Sequence, residues 1–110
     1  MTVIWLNGTV GAGKSAVGRA LACMLRSAVF LDGDDDAGPS HLPNSVRWRT
    51  ALQALLRAAA RRGSFRTLVV AYPLDRFGYA RLKAVCGRSH RRCIVINLAP
   101  PLAMTLRGLA

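Results

Sequence analysis

Acidic side chains are scarce in this sequence. It contains no glutamate and only five aspartates, against 16 lysines and arginines, so its formal net charge is +11. Four of the five aspartates lie within residues 32–36, and Asp75 is the fifth. In so basic a chain, a single acidic cluster is where we expect a cation to bind.

Long hydrophobic runs are also absent. No uncharged apolar stretch approaches the ~18–20 residues that span a bilayer, and no basic segment precedes the short apolar run at residues 3–6. We therefore expect neither a membrane span nor a secretory signal. The three cysteines, Cys23, Cys86 and Cys93, lack metal-type spacing and are predicted to be reduced thiols in a cytoplasmic protein. With 110 residues, 52% of them hydrophobic, residues 1–110 are predicted to form one small domain with a packed core.

The strand pattern predicts a parallel sheet. Apolar runs rich in β-branched residues predict four strands, at residues 2–7, 28–31, 66–72 and 93–98. These runs are continuous and no hairpin signal separates them, which is typical of parallel strands buried on both faces. Because a helical segment lies between successive strands, the predicted fold is a three-layer α/β fold.

Helical spacing fills the gaps between the predicted strands. The first helix, at residues 14–26, is predicted to bury one apolar stripe made of Val17, Leu21, Met24 and Leu25. The second helix is predicted to begin with Asn44 or Ser45 as its cap, and the third has an apolar face within residues 79–86. Beyond the fourth strand, Pro101 is predicted to open a last helix.

A glycine-rich segment directly follows the first strand. It fits the pattern G-x-x-x-x-G-K-[ST] without a gap, over Gly8, Thr9, Val10, Gly11, Ala12, Gly13, Lys14 and Ser15. In such a loop successive backbone N–H groups point at a phosphate, and the N-terminus of the following helix adds partial positive charge. Lys14 supplies a cation for the β- and γ-phosphates, and the Ser15 hydroxyl can join a magnesium shell.

The alternative to this interpretation is a glycine-rich turn with a chance Lys-Ser. The strand before the segment and the amphipathic helix after it are the context that a phosphate-binding loop (P-loop) requires. We therefore predict a P-loop that binds the phosphates of ATP or GTP with Mg²⁺. The corresponding fold is that of the P-loop NTPases, with four parallel strands in the order 2-3-1-4.

The acidic cluster follows the second strand, at the sheet edge where α/β proteins place their sites. From an extended segment, the alternate carboxylates Asp32 and Asp34 are expected to point the same way. One could hold magnesium through water and the other accept a hydrogen bond from a substrate hydroxyl; the alternative is a solvated acidic loop or a helix cap. The third strand ends in Ala71, Tyr72 and Pro73, without the magnesium-organising acid of many ATPases, which argues against a motor or switch GTPase.

This order of P-loop, D-x-D and non-acidic third strand resembles the small-molecule kinases, in particular the gluconate, shikimate and adenylylsulfate kinases. Asp32-Gly33-Asp34 is similar to the shikimate-kinase pair in which one acid serves the metal and the other the substrate hydroxyl. Residues 38–56 resemble a gluconate-kinase segment, with Arg47-Trp48 in the matching place but without the acids that precede the arginine. Residues 69–83 are similar to the third-strand segment of that family.

The resemblance implies a kinase that transfers the γ-phosphoryl group of ATP to a hydroxyl of a small anionic metabolite. On the nucleotide side, it implies that Lys14 and Ser15 contact phosphate and metal and that Asp32 positions Mg²⁺. It also implies that Arg107 stacks on the adenine, as an arginine does near the end of the last helix in such kinases.

On the acceptor side, the resemblance implies that Asp34 orients or deprotonates the hydroxyl. Arg47 and Arg76 would meet the anionic substrate, because a guanidinium group matches the geometry of carboxylate or sulfate. Ordinary surface arginine is the alternative for both, since the chain has fourteen arginines.

One departure from these kinases concerns the end of the chain. In the family an Arg- or Lys-rich lid, a final strand and a helix follow the point where this sequence stops, at Ala110. This predicts either a truncated chain or one that another chain completes, so a non-catalytic nucleotide-binding module or fragment is an alternative function.

Two further expectations concern partners. The charge of +11 raises a nucleic-acid-associated NTPase as a second alternative, but the arginines are spread through every predicted helix, so we expect no nucleic-acid partner. A small open sheet exposes an apolar edge or face, which predicts self-association into a homo-oligomer.

Overall fold

Strands and helices alternate along the described chain, which comprises residues 1–8, 13–61, 63 and 65–98 of a computed structural model. In chain order its elements are β1 (Thr2–Asn7), α1 (Lys14–Met24), β2 (Ala28–Asp32), a 3-10 turn (Gly33–Asp36), α2 (Asn44–Ala60), β3 (Thr67–Ala71), α3 (Arg76–Arg88) and β4 (Arg92–Asn97). Each predicted strand is present: β1 has the predicted ends, and the ends of the other three differ from the prediction by at most one residue. The predicted last helix from Pro101 lies outside the described residues.

The four strands form one parallel sheet in the order β2-β3-β1-β4. This confirms the α/β class and the predicted strand order. The register aligns the carboxyl ends of neighbouring strands, since Ala71 lies opposite both Leu6 and Asp32. The residues that follow β1, β2 and β3 therefore leave the sheet at one edge, which is where the candidate site lies.

One face of the sheet carries the hydrophobic core. Its strand residues alternate, as a pleated sheet requires, and pack against α2 and α3; the largest fully buried members of this core are Val3, Trp5, Leu52, Leu55, Leu68, Val70 and Leu82. The one polar atom of the Trp5 side chain is satisfied, because Nε1–H donates to the backbone oxygen of Tyr72 at 2.8 Å. This buried bond fixes the backbone just beyond β3.

Helix α1 packs on the opposite face of the sheet. Its closest approach is at Gly18, where an added Cβ would collide with the ring of Phe30. The predicted stripe is therefore wrong for Val17 and Met24, which are 42% and 82% exposed. The helix turns the Gly18 side toward the sheet because only a residue without a side chain allows this spacing, and this leaves Val17 and Met24 on its flanks.

The start of α2 also differs from the prediction. Asn44 is the first residue of the helix, and neither it nor Ser45 caps it. The backbone oxygen of Pro43 instead accepts the amides of Val46 and Arg47, each at 3.0 Å. Arg47 therefore lies in the first turn of α2, and this helix packs against the 3-10 turn after β2.

The α1 face of β4 remains open in the described part of the chain. Ile94 and Ile96 lie there, opposite Ile4 and Leu6 of β1, and they are exposed. Apolar edge strands are common sites of self-association, which for this chain stays a prediction. Among the described residues no helix is long and apolar enough to cross a membrane.

The thiols should differ strongly in reactivity. Burial, together with the adjacent Cys93, raises the pKa of the Cys86 thiol to about 12, whereas Cys23 is exposed on α1. The thiolate is the reactive form, so at pH 8 a thiol reagent should label Cys23 first and leave Cys86 unmodified until the chain unfolds. Mass spectrometry of timed alkylation checks this order, with Cys23→Ser as the control that loses the fast phase. Rapid labelling of Cys86 in the folded chain would contradict the packing of α3 on β4.

Candidate functional site

A pocket of about 290 Å³ lies at the carboxyl edge of the sheet. It is bounded by the first turn of α1, by the residues that follow β2, and by the end of β3. Its lining residues are Gly13, Lys14, Ser15, Ala16, Asp32, Asp34, Ala71, Tyr72 and Pro73. The pocket thus brings together residues that are up to 60 positions apart in the sequence, among them Lys14, Ser15, Asp32 and Asp34, which the sequence singled out.

The glycine-rich segment is described only at its two ends. Gly8 directly follows β1, residues 9–12 (Thr9, Val10, Gly11 and Ala12) lie outside the described residues, and Gly13 immediately precedes α1. Gly13 has φ 84°, a left-handed conformation in which residues with a Cβ are strained. Helix α1 begins at Lys14 without a side-chain cap. Its N-terminus lies at the pocket, because Gly13 and Lys14 both line it.

A hydrogen bond joins α1 to β2 inside the pocket. The Ser15 hydroxyl donates to Oδ2 of Asp32 at 2.7 Å, and both residues are half-buried. The other carboxylate oxygen of Asp32, Oδ1, accepts the backbone N–H of Asp34 at 3.1 Å. One hydroxyl oxygen and one carboxylate therefore share a fixed position beside Lys14.

The acidic cluster does not have the predicted extended form. Gly33–Asp36 is a 3-10 turn, because the Asp32 carboxylate accepts the Asp34 amide and so caps it. The expectation that alternate carboxylates point the same way along an extended segment is wrong. Asp32 and Asp34 nevertheless both line the pocket, since the turn folds back over the end of β3.

The predicted arginines divide into three cases. Arg47 is half-buried at the start of α2, and its positive charge acts on Tyr72, a pocket residue. Arg76 is exposed at the start of α3, outside the lining of the pocket as described. Arg107 lies outside the described residues. Neither Arg47 nor Arg76 lines the pocket as described, but Arg47 lies in the first turn of α2, a helix that packs against the 3-10 turn of Asp34.

Tyr72 is a site residue that the sequence gave no reason to select. It follows β3, is 6% exposed, and lines the pocket beside Asp34. Burial raises the pKa of its hydroxyl, the negative charge of Asp34 raises it further, and the positive charge of Arg47 opposes this. The hydroxyl is therefore a neutral hydrogen-bond donor at physiological pH.

Asn7 is a second residue that the sequence analysis missed. Its Oδ1 accepts the backbone N–H of Leu74 at 2.6 Å, and its Nδ2 donates to Oδ1 of Asn97 at 3.0 Å. The side chain thereby ties the end of β1 to the segment after β3 and to the end of β4. The sequence feature that could have indicated this positioning role is a polar residue at the end of an apolar strand.

The oxygen atoms of Ser15 and Asp32 suit a hard cation that is also bound by phosphate oxygens. Within the described residues no group of three or more His, Cys, Asp or Glu side chains could hold a metal ion. A serine hydroxyl and one carboxylate are nevertheless oxygen ligands of the kind that Mg²⁺ takes when water and phosphate oxygens fill the rest of its octahedral shell. Ser15 and Asp32, 2.7 Å apart, fit such a site.

Comparison with known proteins supports the fold. No protein-family model matches the chain, and no curated protein matches it by sequence. Among solved structures, the chain is similar to the crystal structure of APE1195, with a TM-score of 0.74 and 19% sequence identity. The match covers 97% of this chain and 67% of that chain. At this level of identity the likeness extends to the fold, a parallel α/β sheet flanked by helices.

Proposed function

We propose that this chain is a P-loop protein that binds ATP with Mg²⁺ and transfers the γ-phosphoryl group to a hydroxyl of a small anionic metabolite. The observation that carries the proposal is the Ser15–Asp32 hydrogen bond of 2.7 Å at the N-terminus of α1, within the pocket that Lys14 lines. A cation at the start of a helix favours phosphate, and the adjacent hydroxyl and carboxylate favour magnesium.

On the nucleotide side, the segment from Gly8 to Ser15 binds the phosphates. Gly13 in its left-handed conformation turns the chain into α1, so that the first amides of the helix meet the phosphate oxygens. Lys14 pairs with the β- and γ-phosphates. Ser15 and Asp32 would hold Mg²⁺, and the ion would supply positive charge for the phosphate oxygens.

On the acceptor side, Asp34 receives the proton of the reacting hydroxyl. Its carboxylate is exposed at the pocket, and its position is fixed by the turn that Asp32 caps. The acceptor oxygen forms a bond to the γ-phosphorus while the bond from that phosphorus to the β,γ-bridging oxygen breaks. ADP then leaves with the bridging oxygen, and the proton stays on Asp34 until solvent takes it.

A Ser15→Ala substitution tests the magnesium assignment. In the wild-type chain Mg²⁺ should increase the affinity for ATP. In the variant the factor of this increase should be about 3- to 10-fold smaller, because one oxygen ligand is missing. ATP affinity is measured by calorimetry with and without Mg²⁺. The matched control is Ser40→Ala, which changes an exposed loop residue outside the pocket lining and should behave as wild type. Equal dependence on Mg²⁺ in Ser15→Ala and wild type would remove Ser15 from the metal site.

The transfer step has its own readout. Binding of ATP–Mg²⁺ without transfer to any of a panel of sugar acids and related hydroxy acids would reduce the proposal to a nucleotide-binding module. Transfer of label from γ-labelled ATP to one of these acids is the expected result.

A further inference from the structure

The acidic side chains all lie at one edge of the sheet. The five aspartates end β2 or lie in the segments that follow β2 and β3, at the carboxyl edge. Because each helix returns the chain to the start of the next parallel strand, α1, α2 and α3 all end at the opposite, amino-terminal edge. Since the chain has no glutamate, no acidic side chain lies at that edge. Arginines in the last helical turns or beside the strand starts lie there: Arg57, Arg61, Arg66, Arg88, Arg91 and Arg92.

The two edges are too far apart for the aspartates to neutralise these arginines. Strands of 5 or 6 residues rise ~3.3 Å per residue, which separates the edges by roughly 17–20 Å. The Debye length is about 8 Å at physiological ionic strength, so the field of the aspartates is largely screened at the amino-terminal edge. The partial negative charge of a helix end explains Arg57 and Arg88, which lie in last turns, but not Arg66 and Arg92 beside strand starts.

A groove between α2 and α3 opens at this edge. Its volume is about 280 Å³, and exposed arginines line both of its walls, Arg57 on α2 and both Arg81 and Arg88 on α3. Along the axis of α3, Arg81 and Arg88 are roughly 10 Å apart. Ala60 and Ser89, where the two helices end, also line the groove, which places its mouth at the amino-terminal edge.

A second basic cavity, of about 490 Å³, adjoins the mouth of the groove. Arg66 and Arg91 line it beside the half-buried ring of Phe65. Nη2 of Arg91 lies 3.5 Å from the backbone oxygen of Arg61, the residue that directly follows α2. The buried Nε–H of Arg91 has no hydrogen-bond partner in the described part of the chain. A buried donor left unpaired is costly, so an acceptor from outside the chain would stabilise this arrangement.

The groove and the second cavity suit a ligand that carries several phosphates in a row. A guanidinium group binds phosphate through two parallel N–H···O bonds, and arginines spread along a groove and an edge match a chain of anionic groups better than a single ion. Packed helices have axes about 8–10 Å apart, so the groove between them admits one strand, whereas a duplex or a flat lipid surface is too wide to enter it.

We propose that the groove and the adjoining cavity bind the phosphate backbone of a single-stranded nucleic acid. The expectation of no nucleic-acid partner rests on arginines that are spread along the sequence, and the fold gathers those near the helix ends at one edge. The inference goes beyond the proposed function and does not depend on it, because no residue that lines the groove lines the pocket at the carboxyl edge.

The test is fluorescence anisotropy of labelled oligo-U and oligo-dT of about 12 nucleotides, titrated with the full chain at roughly 50 to 200 mM salt. The wild-type chain should bind at least one of them, with affinity that falls steeply as salt rises. The double variant Arg81→Gln/Arg88→Gln should bind about 10- to 30-fold more weakly at ~0.1 M salt. The slope of log affinity against log salt should become shallower by about 1.4, because two phosphate contacts are lost.

A matched variant separates the groove from net charge. Arg49→Gln/Lys83→Gln removes the same charge from exposed positions of the same two helices outside the groove lining, and should keep the wild-type slope. Equal losses in the two double variants would overturn the inference, as would an absence of binding at the lowest salt.

Competing ligands identify the partner and the site. Equal affinity for a duplex of the same length, for polyglutamate or for phosphatidylserine vesicles would overturn the assignment to a single strand. Saturating ATP–Mg²⁺ should leave oligonucleotide binding unchanged, and displacement by ATP–Mg²⁺ would overturn the placement in the groove. A chain that binds the oligonucleotide with this dependence on Arg81 and Arg88 but does not bind ATP–Mg²⁺ would defeat the proposed kinase function and support this inference.

Discussion

An Asp34→Asn substitution should lower the rate of phosphoryl transfer by roughly 10²- to 10⁴-fold, which is the usual contribution of a general base. Asparagine keeps the shape of the side chain but does not take the proton of the acceptor hydroxyl. The substitution leaves Lys14, Ser15 and Asp32 untouched, so ATP–Mg²⁺ affinity should stay within about twofold of wild type. The rate is measured as label transferred from γ-labelled ATP to the acceptor.

The neighbouring residue provides a close control for this experiment. Asp35 lies in the same 3-10 turn and is exposed like Asp34, but only Asp34 lines the pocket. Asp35→Asn removes the same charge one position away and should leave the transfer rate within about twofold of wild type. If both variants lose activity equally, the effect comes from the charge of the cluster, and Asp34 is not the base.

A Lys14→Ala substitution should weaken ATP–Mg²⁺ binding by on the order of 10- to 100-fold. Charge-assisted hydrogen bonds to phosphate contribute roughly 1.5–3 kcal/mol, and this variant removes the ammonium group to which the proposed function assigns them. Circular dichroism of the variant should match that of the wild type, because Lys14 is the first residue of α1 and does not belong to the core.

The chain has one other lysine, which makes the control simple. Lys83 lies exposed on α3, with its ammonium group 5.5 Å from the ring centre of Tyr79. Lys83→Ala removes the same net charge outside the lining of the pocket and should bind ATP–Mg²⁺ as the wild type does. Equal weakening in both variants would show that net charge, and not a phosphate contact, governs the affinity.

The sheet was predictable because its determinants are local. Each strand is a continuous apolar run, and the helical segments between them leave no room for hairpins, so the parallel arrangement follows from the sequence alone. The orientation of α1 was not predictable, because it depends on Gly18 meeting the ring of Phe30 from another element. The spacing of apolar residues in one helix does not show which side of that helix will pack against the sheet.

The candidate site shows the same division. Lys14, Ser15 and Asp32 were identified from the motif and from the end of β2, and the structure places them in one pocket. Tyr72 was overlooked because a tyrosine that ends an apolar strand looks like core, and indeed its ring is buried. What makes it a pocket residue is the 3-10 turn packed on that ring at Gly33, a contact between segments 39 positions apart.

The two arginines show why a resemblance alone does not assign acceptor residues. Arg47 and Arg76 were equally strong candidates in the sequence. The structure separates them through helix starts: the Pro43 oxygen accepts the Arg47 amide in the first turn of α2, beside the 3-10 turn, whereas Asp75 caps α3 and leaves Arg76 exposed. The packing of a helix start against another segment is a contact between residues distant in the sequence, which single-residue patterns do not report.

Calorimetric titration of the wild-type chain with ATP and Mg²⁺ tests the central claim most directly. The account predicts saturable binding at one ATP per chain that is tightened by Mg²⁺. An absence of binding heat at several temperatures, from a chain whose circular dichroism shows it to be folded, would contradict the proposal that the Gly8 to Ser15 segment binds phosphate.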